Sequence, residues 1–171
     1  LAIDADAFDD HFAERHEPHS TALFSSYHGQ PYLVGPLARL NLSHDRLPER
    51  VRTLLAETGL ALPSRNVFHS LVARAVEILL ALGEAQRLLE HYRVPDSPWV
   101  PVTPRAGVAI AATEAPRGLL WHRYEMDADG CVVNARIVPP TAQNQARIED
   151  DLRLSLLNFG LDHADDALRL H

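Results

Sequence analysis

The longest amphipathic pattern of the chain lies near its middle. Between residues 66 and 93, apolar side chains recur at steps of three and four, the spacing that places them on one face of an α-helix. Residues 72–82 are apolar almost all round, so the pattern predicts a long central buried helix over 66–93. Gly83 indicates a close helix contact or a kink, and Pro95 prevents the helix from continuing.

Three further segments have helical spacing, and each stops at a residue that ends helices. They are Asp6–Glu17 before Pro18, Leu47–Thr58 before Gly59, and Ala142–Phe159 before Gly160. In the first of them, Phe8 and Phe12 would share one face. Asp45 is a possible N-cap of the second.

Alternating patterns between the long helix and the last helix predict a small antiparallel sheet over residues 106–139. Its strands are expected at Gly107–Thr113, Leu119–Met126 and Cys131–Val138, with Asp129–Gly130 in a tight hairpin turn. The four prolines between residues 94 and 104 indicate an extended connection, and residues 21–38 an irregular or extended one. Residues 1–171 are therefore predicted to form a single domain that is mainly α with a small antiparallel β-sheet (α+β).

Charge and cysteine content narrow the classes of partner and compartment. The formal net charge of −7 argues against nucleic acid or an anionic membrane as a partner. No apolar stretch approaches the roughly 18 residues that a membrane span needs. The single cysteine, Cys131, excludes an internal disulfide and suits a reducing compartment, so a cytoplasmic location is expected.

General catalytic and metal-binding motifs are absent from the sequence. It contains no CxxC, no HExxH, no EF-hand carboxylate array, no G-x-S-x-G elbow and no glycine-rich phosphate loop. His16, Glu17 and His19 lie close together but straddle Pro18, and a hydrated loop is expected there rather than a metal site. Cys131 is interpreted as a strand residue, and the acidic cluster at 162–166 as a solvated tail.

Arg117 is the side chain whose surroundings indicate a specific role. It stands between Pro116 and Gly118, which restrict the backbone and permit close approach. One interpretation is a structural arginine paired with Glu114 or Glu125. The other is a guanidinium held over a reaction centre, where its donors bind an anion or polarise a substrate. The residues alone leave both open.

A second rigid position lies at Thr141. It follows two prolines, so its hydroxyl and backbone N–H are held in place. Asn144 lies three residues further on, where its side chain could cap the next helix or support the turn at Thr141.

Four segments resemble, in order and spacing, the large subunit of nickel–iron hydrogenases. They are Tyr32–Asn41 (YLVGPLARLN), Asn66–Leu80 (NVFHSLVARAVEILL), Glu114–Leu119 (EAPRGL) and Pro139–Asn144 (PPTAQN). The resemblance extends over roughly residues 20–160 and implies the mostly helical large-subunit fold. The forms GPLARLN and PTAQN are most similar to the cytoplasmic branch, whose members couple to NAD(P) or a deazaflavin through further subunits.

The resemblance also implies a metal centre whose ligands this sequence lacks. The family binds nickel and iron, with cyanide and carbonyl ligands, through four cysteines in two CxxC motifs. Neither motif is present, so the chain is expected to be an internal, late segment of a longer protein, with His171 shortly before the second motif. The isolated chain is expected to hold no cofactor and to be inactive.

Four residues match positions around that centre in the family. Arg117 matches the arginine that donates hydrogen bonds towards an iron-bound cyanide, and Pro116 matches its neighbour. Thr141 matches the Ser/Thr position that binds the other cyanide. Ile137 matches an apolar residue near the carbonyl ligand. Losing such groups typically changes the performance of a metal site by ~10–100-fold.

The implied reaction is the heterolytic cleavage or formation of dihydrogen. Electrons would leave through the small iron–sulfur subunit of hydrogenase, followed by further NAD(P)- or deazaflavin-linked subunits. Two alternatives stay open. One is a metal-free relative such as the quinone-site subunit of respiratory complex I, in which the same surface would serve quinone and proton coupling. The other is a helical module that binds a partner subunit through residues 66–92.

Overall fold

The structure, a computed structural model, describes residues 3–159. The predicted helix stop at Gly160, the acidic tail at 162–166 and His171 lie outside these residues. The chain divides into two compact units, one made of the residues up to Leu33 together with those from Val138 onward, the other of Val34–Ile137. That residues 1–171 form one domain stays a prediction.

The described residues form helices and strands joined by short 3-10 turns and loops. In chain order the helices and strands are α1 (Phe8–His11), β1 (Phe12–Arg15), β2 (Phe24–Tyr27), α2 (Pro36–Ser43), α3 (Glu49–Glu57), α4 (Ser70–Glu90), β3 (Gly107–Ala115), β4 (Gly118–Met126), β5 (Val132–Val138) and α5 (Pro140–Phe159). The mixed fold with a small antiparallel sheet and one long helix is therefore confirmed. No helix within residues 3–159 has the length and apolarity that crossing a membrane requires.

The predicted helix over residues 6–17 is wrong beyond His11. Phe12–Arg15 is instead a strand, β1, which pairs antiparallel with β2 so that Phe12 faces Tyr27. Side chains of β1 alternate between half-buried and exposed, the period of a strand. The Phe12 ring lies 5.2 Å from that of Tyr27 and 5.1 Å from that of Tyr32, and these contacts prevail over the helical spacing of Phe8 and Phe12.

The ends of α3 correct one predicted cap and confirm one stop. Asp45 lies in a 3-10 turn and does not cap α3, whose N-cap is Pro48 without a side-chain hydrogen bond. Proline fits there because its fixed φ suits a helix start. Gly59 follows the helix with a φ of +69°, the left-handed conformation expected just past a helix end.

The long helix α4 forms as predicted, but its predicted burial is wrong for this chain. Only Ala73 and Val76 of α4 are buried, and they lie on the side that packs against α2 and α3. Apolar side chains on its other faces, such as Ile78 at 61% and Leu82 at 65%, stay exposed. Within Val34–Ile137 no further layer of described residues covers these faces. No atom of the described residues lies within 4 Å of a Cβ placed on Gly83, so the close contact predicted there is wrong too.

The three predicted strands form a sheet in the order β3–β4–β5. β3 and β4 pair antiparallel from Gly107 opposite Met126 to Ala115 opposite Gly118. Trp121 of β4 is buried, and the guanidinium of Arg136 lies over its ring, 5.5 Å from the centroid. This long hairpin determines where its closing turn, residues 116–117, is located.

The predicted turn at Asp129–Gly130 forms. Gly130 has a φ of +81°, and its N–H donates to the Asp127 carbonyl at 3.1 Å. The Asp127 carboxylate accepts from the backbone N–H groups of Asp129 and Cys131 at 3.0 and 2.9 Å. A side chain that binds the backbone two residues further on is the usual means by which aspartate stabilises a turn.

Tyr32 gives the unit around β1 and β2 a measurable response to pH. Burial, the largest cause, raises the pKa of Tyr32 from 10.0 to about 12, while its hydrogen bond with Ser25 lowers the pKa and the charge of Glu14 raises it. The unfolded chain therefore releases this proton at a lower pH than the folded one. The stabilising contribution of Tyr32 is complete below pH 10 and is lost as the pH rises through 12.

Ultraviolet absorbance of tyrosinate measures this prediction directly. We expect a titration step near pH 12 that is absent from Tyr32→Phe. Tyr92→Phe, at an exposed position, serves as the control and should leave that step in place. A step near pH 12 that persists in Tyr32→Phe would contradict the assignment.

Candidate functional site

Pro116 and Arg117 form the turn that connects β3 to β4. Ala115 and Gly118 are the last paired residues before it, so the turn has only two residues and is short and well defined. Both turn residues are exposed. The sheet therefore presents the Arg117 side chain at one end of its longest hairpin.

Two glycines bring the backbone of this turn against the segment that precedes α2. A Cβ placed on Gly35 would lie 2.6 Å from the Arg117 carbonyl oxygen. One placed on Gly118 would lie 2.5 Å from Cγ2 of Val34 and 2.9 Å from the backbone N of Gly35. Both glycines also have a positive φ, +107° and +137°. Only glycine fits either position without a shift of the backbone.

Arg39, on α2, holds the same turn from its other side. Its guanidinium donates to both carboxylate oxygens of Glu77, from Nε at 2.6 Å and from Nη2 at 2.8 Å. It also donates from Nη1 to Glu114 at 2.5 Å and to the carbonyl of Ala115 at 3.0 Å, and from Nη2 to the carbonyl of Pro116 at 3.2 Å. Arg39, Glu77 and Glu114 are called the Arg39 cluster below.

The carboxylates make Arg39 a permanent cation. The hydrogen bond to Glu77, followed by that to Glu114, raises the pKa of Arg39 above its usual range, against the opposing effect of burial. Glu114 therefore has Arg39 as a partner, and Glu125, the other carboxylate considered for Arg117, lies 3.8 Å from Arg123.

An open cleft of about 680 Å³ lies beside the turn, where it meets α4. Its lining combines charged side chains with apolar ones: Arg74, Glu77, Ile78, Ala81, Pro116 and Arg117. Guanidinium groups next to apolar walls can donate hydrogen bonds to a small polar group while limiting contact with water. The cleft thus suits small ligands that accept hydrogen bonds.

Asn41 connects the first sequence motif to the second. Its side chain donates to the Ser64 carbonyl and accepts from the Ser64 N–H, both at 2.8 Å. The Ser64 hydroxyl is 2.7 Å from Nδ1 of His69, which lies just before α4. Since Gly35 and Arg39 contact the third motif, three of the four motifs meet within Val34–Ile137.

Thr141 and Ile137 are placed separately from Arg117. Thr141 is the second residue of α5 and is exposed, and Ile137 lies on β5 with 47% of its surface exposed. Gln143 is fully buried, and its side chain donates to the Val138 carbonyl at 3.1 Å. Gln143, rather than Asn144, fixes the start of α5.

No metal ligand set is formed by the described residues. Residues 3–159 hold no group of three or more His, Cys, Asp or Glu side chains placed to bind a metal. His19 lies 2.9 Å from Glu149, and Glu17 accepts from Arg15 at 2.6 Å, so the side chains near Pro18 have other partners. Cys131 is exposed at the end of a turn.

Sequence reasoning identified Arg117 and Pro116 but missed the residues that hold them. Arg39 and Gly35 stand in the segment YLVGPLARLN, and Glu77 stands in the long helical segment. An arginine shortly after a Gly–Pro pair could have indicated a structural cation. Its partners could not be identified, because they lie 38 and 75 residues away in sequence.

Comparison with known proteins gives consistent matches to one class of enzyme. No protein-family model matches the chain. The chain is 31% identical over 152 residues to the alpha subunit of sulfhydrogenase 1 from Pyrococcus furiosus, a match that covers 88% of this chain and 35% of the relative. It is 34% identical over 122 residues to the vhu F420-non-reducing hydrogenase of Methanococcus voltae, covering 69% of this chain and 29% of the relative.

A solved structure agrees with these relatives. The large-subunit-like fold of this chain matches a crystal structure of an NAD+-reducing nickel–iron hydrogenase in the H2-reduced state with a TM-score of 0.70 and 26% identity. The match covers 86% of this chain and 35% of that one. The chain thus spans about a third of the length of the proteins it matches.

Proposed function

The chain is a homologue of the large subunits of nickel–iron hydrogenases, and from this premise we propose that it is a segment of such a catalytic protein. Its proposed role is to supply the guanidinium of Arg117 beside the metal centre. The observation that carries this proposal is the exposed Pro116–Arg117 turn, which is held by the Arg39 cluster and lines an open cleft.

The described residues fit the surroundings of a nickel–iron centre and do not fit its ligand set. No suitable cluster of ligating side chains exists within residues 3–159. An exposed guanidinium next to Ile78, Ala81 and Pro116 does fit a place beside small anionic ligands, which need fixed donors and apolar walls. The metal ligands are therefore proposed to come from parts of the large subunit other than these residues.

Each candidate residue has a proposed task. Arg117 would donate hydrogen bonds to an iron-bound cyanide, with Pro116 limiting the freedom of its backbone. Thr141 would offer its hydroxyl to the other cyanide, and Ile137 would form an apolar wall near the carbonyl ligand. When bound, the centre would supply Lewis-acid chemistry for the heterolytic cleavage or formation of dihydrogen.

Partners and location follow from the same proposal. Electrons would pass to the small iron–sulfur subunit, then to NAD(P)- or deazaflavin-linked subunits, in the cytoplasm. The comparisons do not favour the metal-free relative of complex I, because the relatives found are subunits of hydrogenases. A helical interaction module stays distinguishable by the effect of Arg117 substitutions on turnover.

Metal analysis tests the proposal. The complete reading frame that contains residues 1–171, purified from a host that assembles nickel–iron hydrogenases, is expected to carry stoichiometric nickel and to reduce a viologen dye with dihydrogen. The 171-residue chain from the same host is expected to do neither, since its described residues provide no ligand set. Stoichiometric nickel in the 171-residue chain, or a reading frame without both CxxC motifs, would contradict the proposal.

A further inference from the structure

We propose that Arg39 is the positioning residue of Arg117 and acts through the backbone of the β3–β4 turn. This inference rests on the proposed function, because it assigns Arg39 a part in hydrogen turnover without contact with the reacting atoms.

The first argument is which backbone atoms Arg39 binds. Its Nη1 and Nη2 donate to the carbonyls of Ala115 and Pro116 at 3.0 and 3.2 Å. The Pro116 carbonyl belongs to the planar peptide group whose nitrogen is that of Arg117. Fixing that oxygen fixes the plane from which the Arg117 Cα and side chain extend. Arg39 therefore controls the direction of Arg117 without touching its guanidinium.

The second argument is that Arg39 has no donor left for a ligand. An arginine has five N–H donors. Arg39 makes five hydrogen bonds, three to the carboxylates of Glu77 and Glu114 and two to the backbone. A lysine has three donors and could not replace all five bonds. Arg39 is thus fully committed to holding α2, α4 and the turn together.

The third argument is the contact on the opposite side of the turn. Gly35 lies in the same segment as Arg39 and is so close to the Arg117 carbonyl that a Cβ would clash with it. The turn is therefore held by hydrogen bonds from Arg39 and by backbone contact at Gly35. A turn restrained on two sides can place a side chain to within the tolerance that catalysis demands.

The experiment compares Arg39→Lys, Arg117→Lys and the double variant in the assembled enzyme. Arg87→Lys is the matched control, because Arg87 pairs with Glu84 on α4 by a similar contact that does not reach the turn. We measure nickel content, kcat and KM for dihydrogen, and hydrogen–deuterium exchange of peptides that cover residues 115–119. The exchange measurement does not depend on turnover.

We expect Arg39→Lys to retain nickel, to lower kcat by about 10–100-fold with little change in KM, and to speed exchange at 115–119. In the Arg117→Lys background, the same change should lower kcat by less than about 2-fold, because a residue that acts through another is not additive with it. Arg87→Lys should change neither kcat nor exchange at the turn.

Unchanged exchange at residues 115–119, or additive losses of kcat, would overturn the inference even if the wild-type enzyme turns over dihydrogen. A wild-type enzyme without turnover would instead overturn the proposed function. Should Arg39→Lys fail to assemble, Glu114→Gln carries the same test at an exposed position. Faster exchange at the turn in Glu114→Gln supports the inference, and unchanged exchange counts against it.

Discussion

Replacing Arg117 by alanine is expected to lower hydrogen turnover of the assembled enzyme by about 10²–10³-fold, the usual effect of removing a fixed donor from a reaction centre. Arg117→Lys should lower it by about 10–100-fold. Lysine keeps the positive charge but lacks the planar fork that binds two acceptors at once. Because Arg117 is exposed in the turn, either change removes little buried surface and should leave folding intact.

Dye reduction by dihydrogen and nickel content, measured on the same preparation, distinguish the possible outcomes. Arg105→Lys is the matched control, since Arg105 is also exposed and lies just before β3. Full turnover in Arg117→Ala would favour the helical interaction module over the catalytic proposal. Loss of nickel in proportion to turnover would make Arg117 a residue needed for assembly rather than for the reaction.

Local patterns sufficed to predict most helices and strands. The segments of α3, α5 and the three strands of the sheet have the correct period and clear stop residues, such as Gly59 and the turn at Asp129–Gly130. Phe8 and Phe12 misled because their spacing of four suits a helix, whereas strand pairing between Phe12 and Tyr27 determines the outcome. Local spacing cannot report a partner strand that lies further along the sequence.

The burial of α4 could not be predicted from its composition. A helix that is apolar all round is buried when other elements surround it, and the pattern does not state which chain provides them. Within Val34–Ile137, α2 and α3 cover only the side with Ala73 and Val76. The exposure of Ile78 and Leu82 agrees with a chain that spans about a third of its relatives. Apolar surface of this kind usually marks an interaction face.

The candidate site was predictable only in its rigid turn. Pro116 and Gly118 flank Arg117 in sequence, so the restriction of its backbone could be inferred from neighbours alone. The Arg39 cluster could not, because its hydrogen bonds connect three elements that are distant in sequence. Resemblance identified the segment that contains Arg39 without giving it a role, and the structure connects that segment to the turn.

Gly118→Ala is expected to destabilise the unit Val34–Ile137 by about 2–5 kcal/mol, the sum of a strained backbone and a steric clash. A Cβ at Gly118 would lie 2.5 Å from Cγ2 of Val34 and 2.9 Å from the backbone N of Gly35. The φ of +137° is in addition a conformation that alanine rarely adopts. Relief of the clash would have to move the turn that carries Arg117, so turnover should fall as well.

Gly59→Ala separates the two causes in this prediction. Gly59 also has a positive φ, +69°, but no atom of the described residues lies within 4 Å of a Cβ placed there. It should therefore lose only the backbone term, about 1–2 kcal/mol. Fluorescence of Trp121 in a Trp99→Phe background reports unfolding of this unit, because Trp121 is buried in β4 and the chain has two tryptophans. Equal losses in Gly118→Ala and Gly59→Ala would mean that strain alone accounts for the effect, and that the close approach of Val34 and Gly35 does not hold the turn in place.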